Sequence, residues 1–219
     1  MATRQLLAEL VTAFEQRSGM AAAIESVGGV DAAQRVRAGE AFDVVVLASD
    51  ALHKLVAADQ VVAGSVVDLV HSGVAVAVKA GAPQPDIASE DAVRQAVLAA
   101  RTISYSTGPS GVALAALFER WGIADAVRER IVQAPPGVPV GTLVARGEVE
   151  LGFQQLSELL HVQGIAVLGP LPPEIQITTT FSAGVCANAA QPEAARALIA
   201  FMASSEAADA KRRQGMDPA

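Results

Sequence analysis

Cysteine is nearly absent. Cys186 stands alone among 219 residues, which excludes an intrachain disulfide and a thiolate zinc cluster. Aromatic residues reach only 4%, so the core must be built from Ala, Val and Leu, a composition suited to closely packed helix and sheet layers. Charged residues make up 18%, below the roughly 25% of an average soluble protein. Positive charge is the scarcer sign: 16 basic residues face 23 acidic ones, and the net charge of −7 excludes a global nucleic-acid footprint. The longest basic run, Lys211-Arg212-Arg213, reads as the last turn of a helix complementing its dipole. No apolar run reaches 18 residues, so no membrane insertion is expected. Glu9 and Glu15 interrupt the apolar stretch a secretory leader needs. As written, the product is expected in the cytoplasm, or in the periplasm if the true start lies upstream.

What is present is abundant small apolar residues, 52% hydrophobic in all, arranged in alternating strand and helix patterns. Thr3 is placed to cap a helix whose apolar face is Leu6, Leu7, Leu10, Val11 and Phe14, and Gly19 to stop it. Ala21–Ser26 predicts a short strand, and Asp31 a cap for the helix that follows. The run Phe42–Ala48 is apolar nearly throughout, as in a strand covered on both faces. Strands are expected again at 74–78, 102–105, 150–153 and 165–168, and extended segments at 175–180 and 183–187. Helices are expected at 51–58, 89–100, 110–121, 138–145, 193–204 and 207–214. Such strand–helix units imply crossovers and mostly parallel sheets flanked by helices.

In open parallel sheets, ligands bind beyond the carboxyl ends of the strands, where helix N-termini point. Four segments fit that position: Val27-Gly28-Gly29-Val30, the turn Ser106–Gly111, Pro135-Pro136-Gly137-Val138, and Gln154–Ser157. The second is the sharpest. A strand feeds a turn of Ser, Thr and Gly, and a helix follows at once, so hydroxyls and free N–H groups there can hold an anion without any positive side chain. Thr107, Ser110 and Gly111 are the candidate ligands in that turn, and Gln155 in the fourth segment offers both a donor and an acceptor. Gly28 and Gly29 would let the backbone approach a ligand closely. Arg4, one turn into the first helix, could present a carboxylate-binding fork.

No cofactor is expected: the glycines of Val27–Val30 lack the dinucleotide spacing, and no phosphate-loop lysine occurs. No metal site is expected either, because His53, His71 and His161 lie far apart in sequence. There is no G-x-S-x-G nucleophile elbow. Cys186, within the apolar run 183–187, reads as a buried structural thiol.

Taken in order, these segments resemble the periplasmic molybdate-binding family of ABC-transporter receptors. The match is carried by Arg37-Ala38-Gly39-Glu40-Ala41-Phe42-Asp43 running into Val44–Asp50, by the loop Gly108-Pro109-Ser110-Gly111, and by Phe118-Glu119-Arg120-Trp121-Gly122 closing the next helix. It extends over essentially the whole chain. The resemblance implies a two-lobed α/β, periplasmic-binding-protein-like fold with a ligand cleft between the lobes. Lobe one is expected over residues 1–78 plus 180–219, and lobe two over 79–179. It implies a solute-binding protein that captures a small anion, an organic carboxylate or an oxyanion, with an ABC-transporter membrane component as partner.

Three family positions differ here. The hydroxyl-bearing first loop is replaced by Met1-Ala2, the Ser-rich second loop by Val27–Val30, and a Tyr after the fourth strand by Gln155. Fewer hydroxyls and a larger pocket favour a small carboxylate over tetrahedral molybdate. The run Gly152–Leu159 with Gly169-Pro170-Leu171-Pro172 downstream resembles a tricarboxylate branch of this fold whose enzyme member is aconitate isomerase. The alternative function is therefore isomerisation of an unsaturated tricarboxylic acid. That chemistry needs a general base. The acids nearest in sequence are Glu25, Asp31 and Glu158, and none of them is singled out by the sequence. A transcriptional effector domain would need a DNA-binding helix-turn-helix, for which the chain has no room.

Overall fold

The computed structural model describes residues 2–135 and 138–219. The chain forms two compact units, residues 1–72 with 179–219, and residues 73–178. Both are built of helices packed on sheet.

The first unit opens with α1 (Arg4–Ser18), which buries Leu6, Leu7, Leu10, Val11 and Phe14 as their 3.6-residue spacing requires. Gly19 closes it at φ 72°, its N–H donating to the Glu15 carbonyl. Thr3 occupies the cap position, but its side chain makes no capping hydrogen bond. Residues 19–28 run without regular structure, so the strand expected at Ala21–Ser26 does not form. Next come α2 (Gly29–Arg37), β1 (Val44–Ala48) and α3 (Ser49–Val56). Gly28, and not Asp31, is the α2 cap; Asp31 lies in the first turn.

Strand β1 pairs antiparallel with β6 (Thr178–Val185), Val45 opposite Gly184 and Leu47 opposite Ser182. Val45 and Leu47 pack with Leu52, Leu55, Val61 and Cys186 of one cluster. Val44 and Val46 pack against a second cluster formed by α1, β6 and α9 (Pro192–Ala203). The strand is thus covered on both faces, as its unbroken Val run requires. Helix α10 (Ala208–Arg213) completes the second cluster.

In the second unit, residues 74–79 of the long strand β2 (Val67–Lys79) pair antiparallel with β4 (Leu151–Gln155) and with β5 (Ile165–Pro170). Strand β3 (Ile103–Tyr105) pairs parallel with β4, Tyr105 opposite Phe153. The strand residues alternate by face. Val74, Val76 and Val78 join Ile103, Leu151 and Phe153 in the large cluster under α4 (Glu90–Ala99) and α5 (Pro109–Arg120). Ala75 and Ala77 join Leu159 on the other face. Phe118 of α5 is 1% exposed and touches three aromatic rings, Tyr105 edge-on at 5.9 Å, Trp121 stacked at 5.9 Å and Phe153 edge-on at 6.3 Å. Ser89 caps α4 by accepting from the Ala92 N–H, as its sequence position predicts.

The α/β class holds, and the expectation of mostly parallel sheets is corrected. Among the described residues, β3–β4 is the parallel ladder, and β1–β6, β2–β4, β2–β5 and β2–β7 (Asp217–Pro218) are antiparallel. The reason lies in the segments sequence patterning underweighted. β2 extends seven residues N-terminal to the expected 74–78 strand, β6 joins two expected fragments into one, and both run against their neighbours. The strand at 21–26 expected to add a parallel partner is absent.

Because Phe118 ties β3, β4 and α5 together, Phe118→Ala is expected to destabilise the fold by about 3–5 kcal/mol, the usual cost of emptying a buried aromatic site. Equilibrium denaturation in urea followed by circular dichroism checks this.

Candidate functional site

The parallel pair β3–β4 brings two carboxyl ends side by side. From one, residues 106–111 turn directly into α5. From the other, β4 passes straight into the short helix α8 (Leu156–Leu159) with no intervening residue. Three of the sequence-predicted ligands in the hydroxyl turn, Thr107, Ser110 and Gly111, therefore share one sheet edge with Gln155. Gln155 alternates with Leu151 and Phe153 along β4 and so stands on the α5 face.

The turn is tightly made. Gly108 caps α5 and Pro109 occupies its first position, where a missing N–H costs nothing. The carbonyl oxygen of Ser106 lies 1.5 Å from where a Cβ on Gly111 would stand, so only glycine allows the chain to pass. Ser110 is buried, and its hydroxyl meets that of Ser106 at 3.0 Å. Thr107 is exposed. The turn thus holds two paired hydroxyls and one open to solvent above the N-terminus of a twelve-residue helix, and it contains no cationic side chain.

After α5 the chain makes the short helix α6 (Ala124–Val127), and on the opposite face of β4 helix α7 (Val140–Arg146) lies close. A Cβ at Gly152 would meet Val144 at 2.5 Å and Val140 at 3.0 Å, so glycine sets the approach. The contact brings the first turn of α7 onto Gln154, whose Oε1 accepts from the Gly141 N–H at 3.2 Å. The Nε2 of the same amide donates to Oε2 of Glu158 at 2.5 Å. Glu158 is half-buried, and burial pushes its carboxyl above the usual carboxylate range despite the pull of the Gln154 hydrogen bond. The Ser157 hydroxyl beside it is buried without a hydrogen-bond partner among the described residues.

Gln154 and Glu158 escaped sequence reasoning as a pair. The signal available was their spacing of four residues across a strand–helix junction, which brings an amide and a carboxyl together once the first helical turn forms. Glu25 is exposed and pairs with Arg35 at 2.7 Å, a surface role.

In the first unit, Gly28 and Gly29 begin α2. Gly28 is partly covered and Gly29 exposed, with the Leu47 side chain 3.8 Å from where its Cβ would be, near the carboxyl end of β1. Arg4 is the exposed first residue of α1. Of the expected loop Pro135–Val138, residues 136 and 137 lie outside the described residues. Cys186 is buried, and burial with Asp43 nearby pushes its thiol up to about 11, consistent with an unreactive structural role. No group of three or more His, Cys, Asp or Glu suited to a metal occurs among the described residues, and none of their helices is long and apolar enough to cross a membrane.

The fold is a mixed α/β one, with hydroxyls and helix N-termini gathered at one sheet edge. The chain belongs to the bacterial extracellular solute-binding protein family, whose model matches residues 1–217. It is similar to an aconitate isomerase from a Pseudomonas species, 41% identical over 216 residues that span 96% of this chain and 82% of that protein. Among solved structures it is similar to the Azotobacter vinelandii periplasmic molybdate-binding protein, with TM-score 0.79, 21% identity, and 98% and 94% of the two chains covered. It is also similar to the periplasmic binding protein AgtB of A. tumefaciens R10 in complex with agropinic acid, with TM-score 0.75, 13% identity, and 100% and 80% covered. At these identities the two structures show the fold. The protein is thus a solute-binding protein in family and architecture.

Two outcomes follow from the geometry. Gly111→Ala is expected to cost stability at the upper end of the roughly 1–3 kcal/mol of overpacking, because backbone must move, and chemical denaturation measures it. Since the folded Glu158 carboxyl lies above its unfolded value, its contribution to stability is full below the unfolded pKa and is lost as pH rises through the folded one. Glu158→Gln, which keeps the Gln154 hydrogen bond, is expected to raise the melting temperature relative to wild type at pH 8 and not at pH 4, by scanning calorimetry.

Proposed function

We propose that the protein captures a small organic polycarboxylate, with Thr107, Ser110, Gly111 and Gln155 as its contacts in the second unit. The same reading assigns Gly28, Gly29 and Arg4 of the first unit to the ligand. The observation that carries it is the hydroxyl turn beside Gln155 at the ends of the parallel strand pair, an anion-receiving arrangement whose amide suits a planar carboxylate better than a tetrahedral oxyanion. The aconitate-acting relative supports the same ligand class. Family membership further supports a periplasmic setting, with the membrane component of an ABC transporter as the partner that receives the solute.

A second reading is favoured by one observation, the half-buried Glu158 carboxyl held by Gln154 just past the carboxyl end of β4. A receptor gains nothing from an acid at the edge that receives an anion, whereas an isomerase acting on an unsaturated tricarboxylate requires a base.

Titration calorimetry against citrate, trans-aconitate, molybdate and sulfate tests the ligand class. Binding of citrate or trans-aconitate in preference to molybdate is the expected result, and tight molybdate binding with no response to either acid would overturn it. At 100 times its dissociation constant the preferred acid should add about 2.7 kcal/mol of stability. Ser110→Ala is expected to weaken its binding by about 1–2 kcal/mol, the loss of one charge-assisted hydrogen bond.

A further inference from the structure

We propose that Glu158 is the catalytic residue of an allylic proton shift, the group that takes a proton from a methylene carbon of the bound unsaturated acid and returns it two carbons away. This inference rests on the isomerase reading above and names its base.

Three observations converge on this carboxyl. Its position comes first: Glu158 lies in the turn of α8 that β4 enters directly, three residues beyond Gln155 and at the sheet edge from which β3 sends out the hydroxyl turn. Its orientation is fixed next. Gln154 grips Oε2 through Nε2 and is itself held through Oε1 by the Gly141 N–H of α7, so β4 and the helix packed on it set where the carboxyl points. A chain of hydrogen bonds of this kind is the arrangement that positions a general base. The third is charge. An ionised carboxylate at the same sheet edge as an anion-binding turn opposes binding of a polycarboxylate. Burial favours the neutral form, which brings proton affinity closer to that of a working acid–base group. Elsewhere among the described residues, the acids Glu90, Glu25, Glu40 and Glu9 are tied into ion pairs with arginines and are unsuited to the task.

The chemistry balances without a co-reactant. The Glu158 carboxylate accepts the proton of the CH2 that lies between a carboxylate and the C=C bond. The C–H electron pair forms a new C=C bond to the central carbon, and the old π pair moves to the former vinyl carbon, the charge being shared with its carboxylate. That carbon then takes the proton back from the Glu158 carboxyl. One C–H bond breaks and one forms, no oxidation state changes overall, and the double bond can return with the opposite geometry.

The test uses the whole purified chain with trans-aconitate in D2O, followed by proton NMR, with calorimetry for binding and circular dichroism for folding. Wild type is expected to form the cis isomer and to exchange the methylene protons. Glu158→Gln is expected to bind trans-aconitate as tightly or more tightly, since a like charge has gone, while turnover falls by roughly 10²–10⁴-fold, the contribution of general acid–base catalysis. Glu158→Asp, which keeps the carboxyl on a shorter arm, should retain part of the turnover, so a folding failure of the amide variant does not decide the matter. Near-wild-type turnover in Glu158→Gln overturns the proposal. Wild type that binds the acid but neither isomerises nor exchanges it also overturns the proposal, and leaves the binding reading standing. Wild type that does neither overturns both.

Discussion

The carbonyl oxygen of Ser106 occupies the space a side chain at position 111 would need. This single close approach sets the angle at which the chain leaves β3 and enters α5, and much of the second unit follows from it. Entering at that angle, α5 lays Phe118 across Tyr105 and Phe153 and so closes the main core over the parallel pair. The same turn buries Ser110 and brings its hydroxyl to Ser106, leaving Thr107 at the surface. Packing and ligand chemistry are therefore coupled through one glycine: a looser turn would lose both the aromatic contact and the hydroxyl arrangement.

A sheet of mostly antiparallel ladders offers few places for an anion, because neighbouring carboxyl ends point opposite ways. The β3–β4 pair is the exception among the described ladders. Two strands ending on the same side deliver two chain turns, and hence two helix starts, to one edge, and a third start is added by α7 packing on Gly152. Partial positive charge from backbone N–H groups then accumulates without any lysine or arginine, in keeping with a chain that is short of positive charge throughout.

Local signals were legible wherever one residue's chemistry decides the outcome. Gly19 ends α1, Ser89 caps α4, and the Val run of β1 is buried on both faces, all as the residue types require. The hydroxyl turn could be recognised because its Ser, Thr and Gly lie within six consecutive positions. Strand direction was not legible, since it depends on which distant segment pairs with which. The strand expected at 21–26 had suitable residues, yet no ladder partner takes it up. Glu158 could not be distinguished from a surface acid either. What sets it apart is a glycine at 152 that lets α7 approach, an amide at 154 oriented by that helix, and the burial that results, none of which has a local sequence pattern.

The Gln154 amide also has a direction. Its oxygen is committed to the Gly141 N–H and its nitrogen to Glu158, and rotating it by half a turn would set N–H against N–H and oxygen against oxygen. Glu158 Oε2 therefore faces a hydrogen-bond donor in both protonation states. When the carboxyl is neutral, its own hydrogen must sit on Oε1. The two oxygens of one side chain are thereby made chemically distinct, one an anchor and the other the atom on which protons come and go.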